Sequence, residues 1–260
     1  MFDYIKNKYN QYPTMVTEDA MEDENLYVKY IYAPYLILPK TVEEFNSAHK
    51  SKFWYNIKRS ARMYEDTFGK LSFEIVTDNN DLNFFLDQVF DLFNQRWKDE
   101  YLSTSWKCKE GFEKYKEAMI ELSKSDNAFL AVLYDENKKL LSYAYCLSND
   151  QTAYFYQYTT TTENKYKKFS LGKFLLYRLL LNLIESKKYV IFDFMNGEQE
   201  YKMEWTKQKK PIYLKVNCRT FKSYIKYFLL KFKIYLQFHD FFRDRLKMLF
   251  KIKENFFGKC

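Results

Sequence analysis

This sequence predicts an α+β fold, a mixed (α/β-type) sheet with helices on both faces, and three observations carry that prediction. Apolar runs of strand length are interspersed with longer stretches whose apolar residues recur every three or four positions. Three of the strand-like runs follow one another with only short turns between them, which makes an antiparallel meander the simplest pairing. One strongly apolar helix, Leu171 to Ser186, joins two strands, and such a crossover makes that pair parallel.

In chain order, Thr41 with Glu44 three residues on has the spacing of a capping box, and the helix it opens is expected to run to about Asp66 through the basic residues Lys50, Lys52, Lys58, Arg59 and Arg62. Leu71, Phe73 and Ile75 alternate with Ser72 and Glu74, the pattern of a strand with one buried face over Leu71–Thr77. After the turn residues Asp78, Asn79 and Asn80, the positions Leu82, Phe85, Leu86, Val89, Phe90, Phe93 and Trp97 line one side of a helix. A second helix follows from Gly111 to Lys124. The meander strands are Ala128–Tyr134, Leu140–Leu147 and Ala153–Thr160, the first two joined by the turn 135–138. A polar loop leads into the Leu171 helix, and Tyr189–Phe194 is a short, continuously apolar strand of the fully buried kind. A short helix over Gln199–Lys207, a strand over Ile212–Arg219 and a long terminal helix complete the order. The organisation expected is an N-terminal extension with a basic helix (1–66), a central domain (67–219) and a C-terminal helical tail (220–260).

With 260 residues, 47% hydrophobic and 29% charged, the chain can bury one sizeable core or two small ones. Cys108, Cys146, Cys218 and Cys260 show no paired spacing and no neighbouring histidines, so no metal site is expected. The first residues alternate charge with aromatics and form no secretory apolar region, which points to the cytoplasm. The net charge of +8 lies wholly in residues 219–260, where 11 Lys and Arg face 3 Asp and Glu. A neutral body of 218 residues argues against a nucleic-acid partner. His49 and His239, the only histidines, stand apart from the polar segments around the Leu171 helix and the Tyr189 strand, which disfavours a Ser-His-Asp or Cys-His hydrolase. No phosphate-binding GxxxxGK[ST] loop and no HExxH pair occurs.

Several segments together carry a resemblance to a known family: 33–39 (APYLILP), the basic stretch Lys52–Arg62, Arg96-Trp97, Phe169-Ser170-Leu171-Gly172, and Phe192-Asp193-Phe194-Met195-Asn196-Gly197 with Tyr201-Lys202 and Trp205. In these, over about residues 31–219, the chain resembles GNAT acyltransferases, in particular their CelD-like (cellulose-biosynthesis) branch related to the FemAB group. Two positions depart from that pattern. Leu171 stands where the branch has Pro, and Phe174 where GNAT enzymes favour a second Gly.

The resemblance implies a GNAT-like fold, acetyl-CoA or another acyl-CoA as co-substrate, and a small-molecule amine as acceptor. A thioester donor of this kind carries a pyrophosphate, which needs backbone N–H groups at a helix start together with cations. Lys167, Lys168, Phe169, Ser170, Leu171, Gly172 and Lys173 are the candidate donor-binding segment, with Lys165 nearby; the competing reading is a solvated basic loop with Ser170 as a helix cap. Tyr201 is the candidate proton donor to the leaving thiolate, or else a core tyrosine packing the short helix. Asp193, a carboxylate in an apolar strand, needs a partner or a task. Lys202 is its candidate ion partner, in a structural bridge or in amine binding and general-base work. Asn196, Glu198 and Glu200 are candidate linings of the acceptor side.

The tail alternates lysines with large apolar residues and contains no stretch long enough to span a bilayer. Its apolar side therefore lies on an anionic membrane surface, on the chain's own core or on a partner subunit. Three functions remain: an N-acyltransferase acting on an amino-sugar precursor of a surface polysaccharide, a FemAB-like aminoacyl-tRNA-dependent transferase, and a non-catalytic module of the same fold.

Overall fold

The computed structural model describes residues 14–18, 21, 26–77, 79–97, 109–216 and 221–238. They fall into two compact units. The larger comprises the described residues of 34–195 and 201–208, and the smaller those of 1–33, 196–200 and 209–260.

Among the described residues, strands β1 (Thr14–Thr17), β2 (Leu26–Ile37), β3 (Leu71–Val76), β4 (Ala128–Asp135), β5 (Leu140–Asn149), β6 (Thr152–Thr160), β7 (Ile191–Asp193) and β8 (Lys209–Val216) are interspersed with seven α-helices. These are α1 (Val42–Ser47), α2 (Ser51–Phe68), α3 (Asn79–Trp97), α4 (Lys109–Lys124), α5 (Leu171–Ser186), α6 (Glu200–Met203) and α7 (Phe221–Phe238). In the larger unit the end of β2 is followed by β7, β6, β5, β4 and β3. All pairs are antiparallel except β6–β7, the pair joined by α5. The expected meander and parallel crossover are both present, and the mixed sheet is as the sequence predicts.

This sheet carries a core on each face. On one, α2 and α5 bury Trp54, Tyr64, Leu175, Leu179 and Leu180 against Ala131, Leu133, Ala144 and Phe192. On the other, Leu82, Leu86, Val89 and Met119 of α3 and α4 pack on Leu130, Val132, Tyr143 and Tyr145. Strands β4 and β5 are covered on both sides, which is why they read as unbroken apolar runs. In the smaller unit β1 pairs antiparallel with β8, and Ile234 of α7, flanked by Tyr227 and Leu230, packs on Val28, Tyr30 and Leu214.

Several elements differ from the sequence reading. The helix expected from Thr41 to Asp66 is broken: Lys50 is extended, so α1 ends and α2 begins anew. The break lets the His49 ring sit among Phe45, Phe53, Trp54 and Trp205. Thr41 does cap α1 through its hydroxyl, which accepts from the Glu44 N–H, while the Glu44 carboxylate accepts from the Lys40 N–H instead of closing on Thr41. Neither β1 nor β2 was legible. Pro34 inside β2 cannot donate, and that strand instead uses its carbonyl, which accepts from the Phe194 N–H. Strand β7 is shorter than Tyr189–Phe194, α6 is shorter than Gln199–Lys207, and β8 begins earlier than Ile212. Residues 217–219 and the tail beyond Phe238 lie outside the described residues.

Candidate functional site

The site is built where two paired strands separate. Strand β6 pairs with β5 along its whole length, but with β7 only from Thr152↔Ile191 to Tyr154↔Asp193. Beyond Tyr154, β6 runs on to Thr160 while β7 has ended. Asp193 ends it: its Oδ1 accepts from the Met195 N–H at 2.7 Å, and Met195 turns the chain with φ 60°.

A bulge sits just past this parting. Tyr145 faces Gln157 and Cys146 faces Phe155, so Tyr156 is one residue too many on β6. One extra residue moves every later side chain to the opposite face of the sheet. Ala153 and Phe155 lie on the α5 side, Tyr154 and Tyr156 on the α3 side, and Tyr158 falls back on the α5 side. There its hydroxyl meets the first turn of α5. A Cβ built on Gly172 would stand 1.7 Å from Tyr158 Oη, so only glycine admits this approach.

The segment leading into α5 is held from below and open above. A 3-10 turn over Asn164–Phe169 buries Tyr166 and Phe169 against Tyr64 and Phe68, and Leu171 is buried as well. Lys167, Lys168 and Ser170 remain exposed between these anchors. Ser170 stands at the N-cap position in a left-handed conformation (φ 47°, ψ 40°), without a side-chain cap hydrogen bond. Its carbonyl accepts from the N–H groups of Lys173 and Phe174, which leaves those of Leu171 and Gly172 ahead of the first intrahelical bond. Lys173 is committed elsewhere: its Nζ lies 2.7 and 2.9 Å from the two carboxylate oxygens of Glu204. Lys165 pairs with Glu163 at 3.4 Å. Among the described residues neither Lys167 nor Lys168 has an acidic partner, so these two and the paired N–H groups are what could hold a pyrophosphate.

Of the three residues expected to do the chemistry, Asp193 and Lys202 meet at the end of β7, and Tyr201 precedes Lys202 on α6. Asp193 and Lys202 are buried at 2% and 5% exposure. Burial pulls the Lys202 amine down to about 8, and the negative charge of Asp193 partly restores it. Lys202 Nζ lies 3.5 Å from the Met195 carbonyl, on the turn that Asp193 shapes. Tyr201, the preceding residue on α6, packs its ring 5.9 Å from that of Tyr158 and so faces the start of α5; burial raises its phenol to about 12. Burial also raises the Tyr158 phenol, against a weaker opposing pull from Arg96.

Three participants escaped the sequence reading. Tyr158 depends on a bulge, Glu204 on an ion pair across 31 residues, and His49 on the helix break. Although His49 is far from the site segments in sequence, its Nε2 lies 2.9 Å from the Glu204 carbonyl and its ring 6.5 Å from that of Trp205, just beyond Lys202. Asn196, Glu198 and Glu200 belong to the smaller unit, where Glu198 pairs with Lys209 at 2.5 Å.

Comparison with known proteins bears on this geometry. The family model described as an acetyltransferase (GNAT) domain matches residues 51–203. Among solved structures, L-PGS from Bacillus licheniformis is similar with TM-score 0.54 and 11% identity, over 90% of this chain and 76% of that one. The C-terminal domain of a putative lysylphosphatidylglycerol synthetase from Agrobacterium fabrum gives TM-score 0.57 and 12% identity over 86% and 74%. FemX gives TM-score 0.50 and 11% identity over 83% and 76%. At these identities the likeness is one of fold. No curated protein matches the sequence.

Proposed function

This chain belongs to the acetyltransferase (GNAT) domain family, and we propose that it is an N-acyltransferase that takes an acyl group, acetyl foremost, from coenzyme A and passes it to an amine. The observation that carries this reading is the parting of β6 from β7 after Tyr154, beside the start of α5. A thioester carbonyl is polarised by hydrogen-bond donors aimed at its oxygen, and the resemblance to GNAT enzymes implies that the N–H groups of a parted strand serve here. A thioester donor also needs backbone N–H groups and cations for its pyrophosphate. The far end of β6 and the Lys167–Gly172 segment are these two parts.

Acyl-CoA, when bound, would supply the thioester, whose C–S bond breaks as the amine nitrogen attacks its carbonyl carbon. Tyr201 keeps its proton at neutral pH and gives it to the leaving sulfur. Lys202, lowered to about 8, is neutral in about one molecule in ten at pH 7, and that form takes the proton the nitrogen loses. Asp193 stands beside the lysinium so formed and balances its charge. The acceptor we assign is an amino sugar of a nucleotide- or lipid-linked polysaccharide precursor, supported by the CelD-like segment Phe192–Gly197 with Tyr201-Lys202.

A second reading, transfer from an aminoacyl-tRNA as in the FemAB group, is favoured by one observation. The space beside Gly172 is taken by Tyr158 Oη, and Phe174 stands where a second glycine would widen it. The neutral charge of residues 1–218 counts against it. Thermal unfolding with each donor separates the two: acyl-CoA at 100 times its Kd should add about 2.7 kcal/mol of stability. With acyl-CoA as donor, Tyr201→Phe should slow turnover about 100-fold at unchanged Tm. Stabilisation by aminoacyl-tRNA and none by any acyl-CoA would transfer the assignment to the second reading.

A further inference from the structure

Helix α7 is apolar on two opposite sides, and among the described residues only one of them is packed against. Tyr227, Leu230 and Ile234 pack on Val28, Tyr30 and Leu214 of the smaller unit. Tyr224, Ile225, Phe228, Leu229 and Phe232 are 47 to 63% exposed. With 3.6 residues per turn, these five positions form a continuous stripe along two turns, on the side of the helix away from Ile234. Five large apolar side chains on one helix face are more than scattered surface residues, and such a patch marks a docking surface.

Its charge says what docks. The charged residues of Phe221–Phe238 are Lys222, Lys226, Lys231 and Lys233, with no Asp or Glu among them. Lys231, the lysine among them whose side chain is described, is exposed and adjoins Phe232 at one margin of the stripe. An exposed apolar face rich in Tyr and Phe, on a helix whose charged residues are all lysines, suits the boundary between headgroups and acyl chains of an anionic bilayer. Spanning is excluded for this element, since no described helix is long and apolar enough to cross a membrane. A second copy would bring the same four lysines and no acidic residue to answer them, so like charges would face one another.

We propose that the exposed face of α7 is a docking surface for an anionic membrane, with Phe228, Leu229 and Phe232 inserted at the headgroup boundary. This goes beyond acyl transfer and does not depend on it. The test is sedimentation of the full chain with vesicles of phosphatidylcholine alone or mixed with phosphatidylglycerol, at low and high salt and without any acyl donor. Binding is expected with the anionic vesicles only and should weaken as salt rises. The triple variant Phe228→Ser, Leu229→Ser, Phe232→Ser should bind at least about tenfold more weakly at unchanged Tm, because the side chains removed are already in water. The pair Tyr224→Ser, Ile225→Ser repeats the test on the same face should the triple variant unfold. Equal sedimentation of wild type and variants, or indifference to anionic lipid, would overturn the proposal. So would self-association of the wild type without vesicle binding, abolished by the same substitutions, which would assign the face to a second copy.

Discussion

Helices α5 and α7 are nearly the same length, and both are built of leucines and aromatics interrupted by basic residues. Their fates differ. In α5 nine residues are buried, whereas α7 leaves five large apolar side chains in solvent and, among its described side chains, buries Ile234 alone. The cause is connection rather than composition. As the crossover between parallel β6 and β7, α5 must lie across the face of the sheet, where α2 covers it from the other side. Helix α7 follows the last described strand and joins no two described strands; in the smaller unit one stripe suffices to pack it on Val28 and Leu214. Apolar content thus sets how much a helix can bury, and topology sets how much it does.

The largest effect that sharpens this contrast is on stability. Leu180→Ala in α5, at a position with no exposure, should cost about 2–5 kcal/mol. Phe228→Ala in α7 removes a larger side chain that is 63% exposed, and should stay within about 0.5 kcal/mol. Urea unfolding of both variants measures the difference, and comparable losses would erase the distinction between the helices. A somewhat smaller effect concerns the first turn of α5. Gly172→Ala forces its Cβ against Tyr158 Oη, an overpacking that should cost about 1–3 kcal/mol and weaken donor binding. Adding Tyr158→Phe removes the nearest atom and leaves the ring carbon at 2.9 Å, so the double variant should recover part of the loss in a cycle read by calorimetry.

That turn also shows what could be read from residues alone. The bounds of α5 follow from its apolar run and match Leu171–Ser186. Gly172 and the lysines around it stand out because anion binding at a helix start has a recognisable composition. The oddity of Asp193 in an apolar strand was equally legible, and so was its coupling to Lys202, because a buried carboxylate is costly without a cation. What Gly172 faces was not legible. The bulge at Tyr156 lies within a run of aromatic residues and threonines that offers no glycine or other break, so Tyr158 reads as pointing to the wrong side. The Lys173–Glu204 pair joins two segments that only the tertiary fold brings together, and it engages a lysine that composition would place in the candidate donor-binding segment. The parting of β6 and β7 depends on the turn at Met195, a left-handed residue that is not glycine.

The Lys202 amine makes a pH signature that α7, with no comparable buried cation among its described side chains, should not share. In the folded chain it titrates at about 8, against 10.5 as its ordinary value. Below about pH 8 both states hold the proton and the cost of burying the charge is present in full. Between there and 10.5 the unfolded chain still binds a proton that the folded chain has released, so stability rises with pH. The rise is opposed above about pH 10, where the unfolded chain's tyrosines ionise while Tyr201 holds its proton to about 12. Urea midpoints between about pH 7.5 and 9.5 should therefore climb in the wild type and stay flat in Lys202→Met. Activity should follow, with a rising limb near 8 that the variant lacks.

The smallest expected effect separates the lysines of α5 and its entry by what they already touch. Lys167 and Lys168 are exposed at the open side of the helix start, whereas Lys165 is bridged to Glu163 and Lys173 to Glu204. An exposed cation facing a phosphate contributes about 0.2–1 kcal/mol. Lys167→Ala and Lys168→Ala should therefore each weaken acyl-CoA binding by about 1.5- to 5-fold. The effect should shrink as salt rises, because exposed charges are screened. Lys187→Ala, at the opposite end of α5 where the helix presents carbonyls rather than N–H groups, should leave the affinity unchanged at either salt. Lys173→Ala should differ from all of these. It frees Glu204 beside the first turn of α5, so its loss of affinity should carry a fall in Tm that Lys167→Ala and Lys168→Ala do not show. Calorimetry with acyl-CoA at two salt concentrations, beside thermal melts of the four variants, reads both quantities. If Lys187→Ala matched Lys167→Ala, the donor would be held by general positive charge rather than by the start of the helix.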